Sequence, residues 1–138
     1  MTRRPAASTQ LLMVVAVAVV AVGGWLGWLG WHEQKHEVPG STAVAGPYEP
    51  WQVVALAITL ATAVAVAAWL GIGTFAVLTA SVATTVMFSV DASTQPTIGA
   101  NLWPVGAVFL LIRALVGLGV VALLVGGVRL AAARYGAR

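Results

Sequence analysis

The chain has 138 residues, of which 60% are hydrophobic and 8% charged, with a net charge of +3. Soluble domains carry about 25% charged residues, so this composition excludes a water-exposed surface over most of the protein and makes lipid its main solvent. The lack of cysteine excludes disulfides, thiolate nucleophiles and cysteine-ligated metals. Basic residues gathered at the ends of apolar runs, rather than on one polar face, exclude nucleic acid as a partner.

The first predicted element is an apolar run over 9–31, preceded by Arg3 and Arg4. A secretory signal shares that charge pattern, but its apolar region spans only about 7–15 residues. The longer run, ending in a tryptophan cluster, reads as an uncleaved span. In "GGWLGWLGW" successive indoles turn by about 60° around the helix. Gly23 and Gly27, at i and i+4, leave a notch for a neighbouring helix. The cluster reads as an interfacial anchor.

Immediately after this run, His32-Glu33-Gln34-Lys35-His36 spells H-E-x-x-H, the zinc-binding pattern of many metalloproteases. A catalytic zinc needs a third protein ligand and a glutamate placed to activate water. The chain has no third histidine, and the spans contain no carboxylate. Glu37 and Glu49 are makeshift substitutes. The segment reads as the solvated, charge-mixed end of a membrane helix, with His32, His36 and Glu33 as candidate ligands of an incomplete site. No cofactor is expected, and a zinc-dependent hydrolase stays as a remote alternative.

Residues 32–50 form an outer loop, broken by Pro39, Gly40, Gly46 and Pro47. Pro50 suits the first turn of the next helix, where its missing N–H costs nothing. From Val53 to Val90 no charge appears. One helix of that length would measure about 57 Å, nearly twice the hydrocarbon thickness of about 30 Å. The run must therefore fold back, and Gly71-Ile72-Gly73 is the break that its sequence offers. Spans two and three are placed at 51–70 and 72–90. Residues 91–102, carrying Asp91, form a second outer loop. Span four runs over 103–128, with Pro104 in its first turn and Arg129 and Arg134 beyond its end.

Positive charge near span ends sets orientation. Arg3, Arg4, Arg129, Arg134 and Arg138 fall on one side and Lys35 on the other. Both ends, 1–8 and 129–138, are thus expected in the cytoplasm of a multi-pass plasma-membrane protein. Trp28, Trp31, Tyr48, Trp51 and Trp103 would form an outer aromatic belt.

Arg113, in "FLLIRALVG", is the expensive residue of span four. At about 1.5 Å per residue it lies about 15 Å from Trp103, near the bilayer centre. Insertion scales put such an arginine at about +2.5 to +3.5 kcal/mol. Thr59 and Thr62 on span two, with Ser81, Thr84 and Thr85 on span three, come to matching depth. These hydroxyls and Arg113 are expected to form a buried polar cluster, with Trp25 adding a cation–π contact. The arginine would then be either a structural pin or an anion-attracting centre. Membrane hydroxyls that bond their own backbone at i−4 would favour the pin.

By residue, familiar four-span activities fall away. The first span has no acid for drug–proton exchange, the spans have no histidine for haem, and thiol oxidation lacks its cysteines. "GPYEPWQV" at 46–53 and "LWPVGAVFLL" at 102–111 resemble small actinobacterial four-span integral membrane proteins, and that resemblance implies no activity. The expected fold is an all-α, up-down-up-down four-helix transmembrane bundle in one domain. The expected role is non-enzymatic, accessory or structural, with lipid, a second copy or another membrane protein as partner. A small transporter or channel centred on a buried Arg113 is the alternative.

Overall fold

A computed structural model describes residues 6–30, 48–94 and 102–136. They form four helices: α1 Ala7–Trp28, α2 Pro50–Trp69, α3 Gly73–Thr94 and α4 Trp103–Tyr135. All four are long and apolar enough to cross a membrane. The architecture is the all-α, up-down-up-down bundle of a multi-pass membrane protein.

Local chemistry explains where each helix begins and ends. Pro50 opens α2, and the Gln52 side chain accepts the Glu49 backbone N–H at 2.8 Å, holding the first turn. Pro104 sits in the first turn of α4. Between α2 and α3, the Gly71 N–H donates to the Ala68 carbonyl and the Ile72 N–H to the Ala67 carbonyl, each at 3.0 Å. That pair of bonds is the Schellman motif. It requires a left-handed residue, and Gly71 has φ +90°. Ile72, which follows, is buried and pins the turn against the core.

Two helices run past their expected ends. Asp91, expected in a loop, lies inside α3, because the Ser93 hydroxyl bonds the Val90 carbonyl and that of Thr94 bonds the Asp91 carbonyl. These hydroxyls add side-chain bonds to the carbonyls of the last turn. The other is α4, which has 33 residues. It is therefore about 50 Å long, against a hydrocarbon thickness of about 30 Å, so it is longer than a perpendicular crossing needs.

Packing is asymmetric. α2 and α3 touch each other, and each touches both α1 and α4. No described Cα of α1 comes within 8 Å of α4. The two outer helices thus flank a central pair. The core runs along Val17, Ala21 and Trp25 of α1, Leu56, Leu60 and Val64 of α2, and Ala76, Val77 and Ala80 of α3. From α4, Leu118 joins that cluster. Within its most apolar stretch 6% of residues are buried, against 33% for α2. α4 is therefore the least covered span.

Close approach of α1 and α2 occurs at Gly24, not at the expected Gly23 and Gly27. A Cβ at Gly24 would lie 3.2 Å from Leu56, whereas Gly23 and Gly27 meet nothing within 4 Å. The buried stripe Val17–Ala21–Trp25–Leu29 advances by four residues at a time, and that rotation places Gly24 at the seam.

Candidate functional site

Two features concentrate the polar chemistry of the described residues: a cluster where α1, α2 and α3 end together, and Arg113 on α4.

The cluster is built around Gln52, whose side chain is completely buried. Its Nε2 donates to the Trp28 carbonyl at 2.7 Å while its Oε1 accepts the Glu49 N–H. The last carbonyls of a helix and its first N–H groups lack intrahelical partners. One buried amide thus serves the closing turn of α1 and the opening turn of α2. Beside it, Trp28 Nε1 donates to the Thr59 hydroxyl at 3.2 Å. The Tyr48 hydroxyl donates to the Asp91 carboxylate, tying the approach to α2 to the end of α3. The Trp25 ring meets Tyr48 and Phe88 edge-on, with centroids 5.9 and 6.4 Å away. Such edge-to-face pairs contribute about 0.5–1.5 kcal/mol beyond area burial. Sequence reasoning missed this cluster as a unit. The sequence marks Gln52 and Asp91 only as polar residues at the edges of apolar runs, and which groups they meet depends on how the helix ends are placed.

The expected polar cluster around Arg113 does not form. Arg113 is exposed on the outside of the bundle and makes no hydrogen bond or salt bridge with any described residue. Its depth follows from two contacts between α3 and α4. A Cβ at Gly106 would meet Phe88 at 3.3 Å, and one at Gly73 would meet the Ala122 Cβ at 3.4 Å. Arg113 falls between them, level with Ser81 and Val82 of α3. It therefore shares depth with Ser81 but not a face. Helical arithmetic puts it about 140° around α4 from buried Leu118. The cation–π contact with Trp25 also fails, since α1 does not reach α4.

The hydroxyls assigned to the cluster serve their own helices. Thr59 bonds the Ala55 carbonyl, Thr62 the Ile58 carbonyl and Thr85 the Ser81 carbonyl, all at 2.8 Å. Thr62 is exposed. Ser81 and Thr84 are buried, and neither hydroxyl has a hydrogen-bond partner among the described residues. With the arginine outside, a pathway centred on a buried Arg113 loses its basis. A measurable consequence follows for stability. Combining Ser81→Ala with Thr84→Val removes unpartnered buried hydroxyls, so thermal unfolding in detergent should stay level or rise, by up to about 1 kcal/mol per site. A clear fall would mean that these hydroxyls hold a partner after all.

His32, Glu33 and His36 lie outside the described residues. Among the described residues no group of three or more histidines, cysteines or carboxylates comes together. Two open grooves flank α4. One, of about 410 Å³, runs between α3 and α4 past Thr85, Ser89 and Trp103. The other, of about 530 Å³, lies beside Gly71, Gly119 and Arg129.

Against known proteins, no family model, curated protein or solved structure matches the chain.

Proposed function

We propose that the protein is a non-enzymatic accessory or structural subunit of the plasma membrane, with both chain ends in the cytoplasm. The observation that carries this reading is the bare outer side of α4. Its Val116, Val120 and Leu124 are 63%, 50% and 66% exposed, and Arg113 projects among them at mid-span. A lone lipid-facing helix gains nothing from a central arginine, which costs about +2.5 to +3.5 kcal/mol on insertion scales. A helix that completes its packing against another membrane protein has a use for it. The orientation rests on the excess of arginine flanking the chain's two ends. Kinship with small actinobacterial four-span proteins belongs to the same proposal.

A photoreactive amino acid at position 124, on the Arg113 side of α4, tests the reading in native membranes. The expected product is a discrete protein adduct. Capture of lipid alone would sink it.

A further inference from the structure

Arg113 is exposed, has no partner among the described residues and is level with the middle of α3. It is also beyond easy reach of either surface, since Trp103 lies about 15 Å away along the helix and Arg129 about 24 Å. Lipid phosphates sit at the membrane boundary, so a side chain at this depth does not meet them without deforming the bilayer. A second copy of the chain offers no complement either. Residues 53–90 carry no charge, and a symmetric pair through this face would bring Arg113 against Arg113.

We infer that the bare face of α4 docks a transmembrane helix of a different protein, one that carries an aspartate or glutamate at mid-span. The inference rests on the accessory reading above and specifies its partner. Charge complementarity selects the occupant: an intramembrane cation is stabilised when a carboxylate held at equal depth pairs with it. Gly117 lies one turn further along α4 and about 40° around from Arg113. A Cβ there would meet nothing within 4 Å, so no described helix of this chain fills the space above it. Small residues let membrane helices approach closely. Gly117 thus gives the incoming helix room beside the charge.

The test uses the full chain in its native membrane, with the photoreactive residue at position 124 and the adducted peptide identified by mass spectrometry. The expected peptide is a transmembrane segment of another protein containing Asp or Glu. Arg113→Leu should lower adduct yield about five- to thirtyfold, the equivalent of losing an interhelical polar contact of about 1–2 kcal/mol. Arg113→Glu combined with the partner's acid changed to arginine should restore it. Gly117→Leu should lower the yield by steric block alone. Arg113→Leu and Gly117→Leu should leave the thermal unfolding of the isolated protein level or higher, which separates lost docking from lost folding.

An adduct that persists undiminished in Arg113→Leu, on a span lacking any acid, overturns the carboxylate partner and leaves the accessory role standing. Adducts joining two copies of this chain likewise overturn it. Lipid adducts alone overturn both.

Discussion

Gly71→Val should lower stability by about 3 kcal/mol, read as earlier loss of helical signal on heating in detergent. The residue sits at φ +90°, and its N–H and that of Ile72 close the Schellman turn that ends α2. Left-handed backbone is costly for any L side chain and worst for a β-branched one. A new Cβ would also stand 2.6 Å from the Arg129 guanidinium. That group lies at the carboxyl end of α2, where a cation is favoured by about 0.3–1 kcal/mol. The guanidinium is the end of a flexible side chain and swings away cheaply, so backbone strain carries most of the loss. Gly71→Asn, which tolerates left-handed geometry, should lose about 1 kcal/mol or less. Equal stability of the Val variant and the natural protein would show that the turn is not built as described.

The second large effect is expected at Gln52. Gln52→Leu keeps the volume and the apolar stem but deletes both hydrogen bonds of a fully buried amide. The Trp28 carbonyl and the Glu49 N–H lose their partners, and each unmade bond costs about 1–3 kcal/mol when water does not replace it. Membrane references soften such losses. A fall of about 2 kcal/mol is the expected result, with the α1–α2 seam loosening first. Hydrogen exchange should report that loosening as faster exchange at the Glu49 amide. Gln52→Glu should do as badly, since a carboxylate does not donate to Trp28. Unchanged unfolding in both variants would remove Gln52 from its role as the clasp between α1 and α2.

Neither residue was equally visible beforehand. Gly71 announced itself by length, because a charge-free run too long for one crossing needs a turn, and glycine is the residue that makes one cheaply. The Gln52 clasp was not legible, because it depends on α1 ending opposite the start of α2. Arg113 shows the same limit more sharply. Counting residues from Trp103 placed it at mid-depth, and its contacts set it level with the middle of α3. Direction around the helix is a different quantity. A soluble helix declares its inner face by an apolar stripe, but α4 is apolar all round, because its outside meets acyl chains. Periodicity then carries no inward signal. The same blindness assigned the close packing of α1 to Gly23 and Gly27, when the seam runs through Gly24. The histidine pair at 32 and 36 stays as the sequence left it, outside the described residues.

The sequence by itself determined the all-α class, the four apolar helices and the turn between the second and the third. Those follow from apolar run lengths measured against bilayer thickness and from where proline and glycine interrupt them. Only the tertiary structure decided rotation and neighbours: that α2 and α3 are central, that α4 turns Arg113 outward, and that one buried amide joins two helix ends. Side-chain shape and hydrogen bonding between helices make those choices, and an apolar alphabet read along one chain does not encode them locally.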